Sequence, residues 1–192
     1  MIDPSSQRPR RVGHKGAAHI EQGNTLASFD AALRHDVDMI ELDVDIKLPG
    51  YELRVLDALR AHDLVERTLV SGMFPSGLAR IRAAEPDLRL GWSVPRVRRD
   101  YTTDVLTAIP ALAMLTGYRA ALPRRARGAL LEGRFDAIMA HWRVVTRRLV
   151  HAVAEGGGEL YVWTVDDARM IERLSAMGVD GIITNDPRLF SR

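Results

Sequence analysis

Glu41, Asp43 and Asp45 alternate with Ile40, Leu42, Val44 and Ile46, and Lys47 takes the next alternate position. Alternation with a period of two is the pattern of a β-strand with one apolar and one charged face. Residues two apart on a strand are about 6.5–7 Å apart, so the three carboxylates form a row on one face. Like charges that close repel, and the row is stabilised by a cation or by protons. Divalent-metal binding is one chemistry that uses such a row, because hard cations such as Mg²⁺ and Ca²⁺ take carboxylate oxygens. An exposed edge strand with Lys47 as its counter-charge is the other. The stretch alone fits both.

Short apolar runs and amphipathic helical patterns alternate around this row. A first strand spans Arg10 to His14 and ends in Gly13-His14-Lys15-Gly16. Asn24 is a candidate N-cap for a helix from Leu26 to about His35, with Leu26, Phe29, Ala32 and Leu33 on one face. The acidic strand runs from Asp38 to Lys47, and Pro49-Gly50 breaks it. A helix over Tyr51 to Asp63 carries a stripe of Leu53, Leu56, Leu59 and Leu64. Then come a strand at Arg67–Ser71, a helix at Pro75–Ala84 and a strand at Leu88–Ser93. From Asp104 to Leu131 the pattern is helical, with a break expected at Pro123. Phe135–Ala140 reads as a strand and Thr146–Glu155 as a helix stopped by Gly156-Gly157-Gly158. Leu160–Thr164 is a strand, Asp166 caps a helix to Met177, Val179–Thr184 is the last strand, and Asn185-Asp186-Pro187 opens a terminal turn.

This alternation implies parallel strands joined by helices. The expected class is α/β, a TIM-type (β/α)8 barrel left incomplete at about seven strands, on a single domain of residues 1–192. An open doubly wound sheet competes, but no Gly-rich dinucleotide fingerprint follows any strand. Polar residues stand where strands end (His14, Asp43, Ser71, Ser93, His141, Thr164, Thr184), and barrel active sites gather at those ends.

A chain of 192 residues with 46% hydrophobic and 27% charged residues has the composition of a soluble globular domain. No apolar run approaches ~20 residues, which excludes a transmembrane helix. The first residues carry no apolar leader, and the expected location is the cytoplasm. With no cysteine, disulfides, thiolate metal sites and a cysteine nucleophile are excluded. Net charge is +2. Arg96, Arg98, Arg99, Arg119, Arg124, Arg125, Arg127 and Arg134 make the middle basic, as a solvated surface or an attractor of anions. No aromatic interleaving and no zinc-finger spacing accompany them, so nucleic acid is not an expected partner.

Gly13-His14-Lys15-Gly16, Gly23-Asn24-Thr25-Leu26-Ala27-Ser28-Phe29 and Ile40-Glu41-Leu42-Asp43-Val44 resemble, in order, the motifs of the glycerophosphodiester phosphodiesterase family. Its usual pattern is His-Arg-Gly, Glu-Asn-Thr with a following Phe, and Glu-Leu-Asp. Trp163-Thr164-Val165 and Gly178 to Pro187 resemble its closing strands. The resemblance implies a (β/α)8 barrel that hydrolyses a small-molecule glycerophosphodiester to an alcohol and glycerol 3-phosphate with a divalent metal, Mg²⁺ or Ca²⁺. It implies His14 as catalytic, Glu41, Asp43 and Asp45 as metal ligands, and Lys15, Asn24, Lys47 and Trp163 as substrate-binding. Trp163 also fits a core position.

Three departures accompany it. Lys15 stands where the family has Arg, and keeps the charge without the bidentate fork. Gly23 replaces a Glu. Asp45-Ile46-Lys47 resembles a Glu-Ile-Lys motif that the family carries one strand later, so a βα unit and its His-Asp segment are missing. His62-Asp63 reads as a surface pair at a helix end, and His19, His35 and His151 as surface or packing residues. His141 ends a strand, within reach of a pocket. With one catalytic histidine absent, turnover is expected to be weakened. A barrel that binds metal or phosphate without turnover, and an incomplete barrel with exposed edges, are the alternatives. The oligomeric state is open.

Overall fold

The computed structural model describes residues 8–42, 51–96 and 105–191, for 105–113 the backbone alone. These hold seven strands: β1 (Arg10–His14), β2 (Met39–Glu41), β3 (Leu69–Gly72), β4 (Arg89–Val94), β5 (Ala137–His141), β6 (Glu159–Trp163) and β7 (Gly181–Thr184). The α-helices are α1 (Leu26–Leu33), α2 (Tyr51–Ala61), α3 (Pro75–Ala84), α4 (Val105–Leu131), α5 (Arg147–Glu155) and α6 (Ala168–Ser175). The bounds of β1 and α3 are those the sequence predicts. The acidic strand is described only as far as Glu41, and Asp43, Asp45 and Lys47 lie outside the described residues.

The chain divides into two compact units, residues 1–45 with 159–192, and residues 46–158. In the first, the strands lie in the order β2-β1-β7-β6, and every pair is parallel. His14 stands opposite Glu41 and Gly13 opposite Thr184. Because neighbours in register point the same way and alternate residues point opposite ways, one face of this sheet carries Arg10, Val12, His14, Met39, Glu41, Tyr161, Trp163 and Ile183. At the N-terminal end of that face, the Arg10 guanidinium donates to the Tyr161 hydroxyl at 2.5 Å and pairs with Glu159 at 2.9 Å. Val12 and Ile183 fill the middle, and both are buried. His14, Glu41 and Trp163 form the C-terminal layer.

In the second unit, β5, β4 and β3 pair in parallel in that order. The helix α2 packs on α3, and α4 on α5.

Five local expectations are corrected. The N-cap of α1 is Thr25, whose side chain accepts from the Ser28 amide at 3.2 Å, and Asn24 sits one residue earlier with φ 61°. The buried face of α1 is Ser28, Ala31 and Ala32, while Leu26 is 80% and Leu33 59% exposed. Its inner face meets the turn at Lys15–Ala17 at backbone contact, which admits only small side chains. A Cβ on Gly16 would lie 2.6 Å from Ser28, and one on Gly13 would lie 3.2 Å from the Ala32 Cβ.

The stripe of α2 is likewise shifted. Leu56 and Glu52 are buried, whereas Leu53 is exposed, because Glu52 is held by Arg80 of α3. The helix α4 continues through Pro123 without the expected break. Its face Leu122, Ala126, Ala129 and Leu130 is buried, and packing on α5 offsets the lost hydrogen bond. The N-cap of α6 is Asp167, which accepts from the Met170 amide at 2.8 Å, and Asp166 is turned elsewhere.

Candidate active site

The turn after β1 positions the first functional side chains. Gly13 and Gly16 bring Gly13-His14-Lys15-Gly16 against α1, with Lys15 at φ 53° and Gly16 at φ 90°. The Ser28 hydroxyl, fully buried, donates to the Lys15 carbonyl at 2.9 Å and accepts from the Ala17 amide at 2.8 Å. The Asn24 amide donates to the same Lys15 carbonyl at 3.0 Å. An unstrained left-handed Asn is what closes this loop. Asn24 thus reaches the site through the backbone of Lys15.

His14 ends β1 half-buried. Its Nε2 lies 3.7 Å from Glu41 Oε2, and the Lys15 amide donates to the same oxygen at 3.3 Å. Its Nδ1 lies 2.6 Å from Oδ1 of Asn185. Asn185 is held in turn by Asp166. The backbone amide of Asn185 donates to Oδ1 at 2.8 Å, and its side-chain Nδ2 to Oδ2 at 2.6 Å. The buried hydroxyl of Thr184 donates to Asp166 Oδ1 at 3.0 Å and accepts from the Asp186 amide at 3.1 Å. A continuous chain of contacts therefore runs Asp166–Asn185–His14–Glu41 across the C-terminal ends of β2, β1, β7 and β6.

The structure brings together His14, Glu41 and the Lys15 backbone, with Asn24 behind them and Trp163 half-buried on the same face of the sheet. His14 is a histidine ring that the structure sets beside Glu41. His62 and Asp63 are exposed just past α2, and His151 pairs with Glu155 on α5 at 3.2 Å. In the second unit, His141 ends β5 and its Nδ1 accepts from the Arg143 amide at 3.3 Å.

Asn185 and Asp166 are the residues that sequence reasoning left out. Asp166-Asp167 follows a strand and precedes a helix, and one of the two suffices as a cap. The spare carboxylate at the catalytic end of a strand was the available signal.

Glu41 offers the carboxylate oxygens that a hard cation takes. No group of three or more His, Asp or Glu side chains converges among the described residues. Likewise, no helix among them is long and apolar enough to cross a membrane.

Residues 56–189 match the family model described as the glycerophosphoryl diester phosphodiesterase family. The chain belongs to this family. A glycerophosphodiester phosphodiesterase of Arabidopsis thaliana is 23% identical over 95% of the chain and 72% of its own length. One from Caldanaerobacter subterraneus is 27% identical over 77% of the chain, which spans 51% of that relative.

Solved structures share the fold. A glycerophosphodiester phosphodiesterase of Agrobacterium tumefaciens superposes with a TM-score of 0.67 at 16% identity, over 96% of this chain and 100% of its own. A phosphodiesterase of Oleispira antarctica, in complex with its product sn-glycerol-3-phosphate, does so at 0.59 and 14% identity over 98% of both chains. The fold class is α/β, an incomplete TIM-type barrel with seven strands among the described residues. As in other barrels, the candidate site of this glycerophosphoryl diester phosphodiesterase family member lies at the C-terminal strand ends.

Proposed function

We propose that this chain, acting as one domain, hydrolyses small glycerophosphodiesters to an alcohol and glycerol 3-phosphate. The meeting of His14 and Glu41 at the ends of adjacent strands, within a chain of this family, carries the reading. Glu41, with Asp43 and Asp45, would hold a divalent cation, Mg²⁺ or Ca²⁺, which when bound neutralises charge on the phosphoryl oxygens.

His14 is the acid–base group. Its Nε2 takes a proton from the attacking hydroxyl or returns one to the leaving alkoxide, a contribution of ~10²–10⁴-fold. Lys15 and Lys47 hold the phosphate by charge rather than by a fork. Asn24 and Trp163 contact the substrate, Trp163 as an apolar wall beside the glycerol or alcohol moiety. With the His-Asp segment of the family missing from the sequence, one half of the acid–base pair is unsupplied and turnover is weak.

The test is release of glycerol 3-phosphate from a glycerophosphodiester with added Mg²⁺ or Ca²⁺. Slow release that is abolished by His14→Ala and by chelator is expected. Release that survives both would sink the reading. Metal-induced thermal stabilisation without product would favour a barrel that binds and does not turn over.

A further inference from the structure

We infer that Asp166 and Asn185 are positioning residues that lock His14 in the Nδ1–H tautomer, leaving Nε2 as its proton-transfer nitrogen. An ionised carboxylate only accepts hydrogen bonds, whereas a primary amide both donates and accepts. Asp166 meets three donors at its two oxygens: the Thr184 hydroxyl, the Asn185 backbone amide and Asn185 Nδ2. Asn185 must therefore turn its NH₂ toward Asp166. The flipped amide would set oxygen against oxygen at 2.6 Å. With Nδ2 committed, Oδ1 faces His14 at 2.6 Å, and an acceptor there requires a proton on Nδ1. A neutral imidazole carries one proton, so the Nε2 lone pair points toward Glu41 and the open end of the sheet.

The backbone holds this relay in place. The Asn185 carbonyl accepts from the His19 amide at 3.0 Å, and β7 pairs with β1 up to Gly13–Thr184. Asp166 is free for the task because Asp167 caps α6.

The inference deepens the reading of His14 as the acid–base residue and rests on it for the effect on turnover alone. The tautomer itself is read without activity, from ¹⁵N shifts of the full-length chain labelled at histidine, at a pH where imidazole is neutral. His14 is assigned by the signal lost in His14→Gln. Wild type is expected to show a protonated, pyrrole-type Nδ1 and an unprotonated, pyridine-type Nε2.

Asn185→Leu removes the acceptor, and Asp166→Asn frees the Asn185 amide to flip. In both, the Nδ1–H signature is expected to be lost. Asp167→Ala, which removes the α6 cap, is expected to lower the melting temperature and leave the signature intact. In turnover, Asn185→Leu and Asp166→Asn are expected to lower kcat by ~10²–10⁴-fold, the range for loss of acid–base help, with KM little changed. A wild-type His14 in the Nε2–H form would overturn the inference. So would a signature that survives Asp166→Asn in a protein that still melts cooperatively. An intact signature in an enzyme without any turnover would overturn the proposed reaction and leave the relay standing.

Discussion

The Ser28 side chain of α1 bonds the Lys15 carbonyl and, through Ala17, the far side of the same turn, at 2.9 and 2.8 Å. One buried hydroxyl therefore ties a helix to the loop that carries His14. Ser28→Ala leaves a buried donor and a buried acceptor less well satisfied, at a cost of ~1–3 kcal/mol. The expected result in urea unfolding is a lower midpoint with unchanged slope. Glycerol 3-phosphate release should fall by more than the fraction unfolded accounts for, because the loosened turn misplaces His14. A midpoint within error of wild type would show that the hydroxyl is not what holds the turn.

Two glycines separate backbone necessity from accident. Gly16 has φ 90°, and a Cβ there meets Ser28 at 2.6 Å, whereas at Gly77 in α3 nothing lies within 4 Å. Gly16→Ala is expected to destabilise by ~2 kcal/mol or more, combining strain and overlap. Gly77→Ala is expected to stabilise by ~0.4–1 kcal/mol, since Ala fits the helix and restricts the unfolded chain. Thermal melts of the two variants should move in opposite directions.

Acid sensitivity should localise to the start of β2. The hydrogen bond from Arg8, reinforced by the Arg11 backbone amide, holds the Asp38 carboxyl below the ordinary carboxylate range. A lowered folded value means that the unfolded chain binds the proton more readily. The contribution is complete above the unfolded pKa of ~3.9 and is lost as pH falls through the folded value. Wild type should therefore exceed Asp38→Asn in stability at pH 7. The gap should close at pH below ~4. Urea titrations across that range check the sign, and a gap that widened toward low pH would refute it.

What the sequence made legible follows from how local each decision is. Pro75 opening α3 and the alternation of β1 are decided within a few residues, and the bounds match. Both cap assignments missed by one residue, Asn24 for Thr25 and Asp166 for Asp167. A cap needs an extended backbone and a side chain that reaches the amide three residues on. Adjacent polar residues satisfy that description equally in sequence. The choice is made by what the loop does elsewhere: Asn24 is drawn into a left-handed turn by the Lys15 carbonyl, and Asp166 is drawn to the end of β7 by Thr184 and Asn185. The same distant contacts make Asn185 part of the site, although in sequence it only opens a turn. The leucine stripe of α1 failed for a related reason, since a helix laid against a glycine turn buries Ser and Ala instead.

Glu41 distinguishes a metal site from a charged edge. Its carboxylate accepts from the Lys15 amide at 3.3 Å and stands 3.7 Å from His14 Nε2. A Gln at this position still offers an oxygen to the Lys15 amide, so Glu41→Gln should preserve the turn and the melting temperature without added metal. It removes the negative charge that a hard cation needs. A ligand that binds only the folded state at 100 times its Kd stabilises by ~2.7 kcal/mol. Wild type should therefore melt several degrees higher in excess Mg²⁺ or Ca²⁺, and Glu41→Gln should lose most of that shift. An equal shift in both proteins would remove Glu41 from the metal site and leave the carboxylate as a partner of His14 and the Lys15 amide.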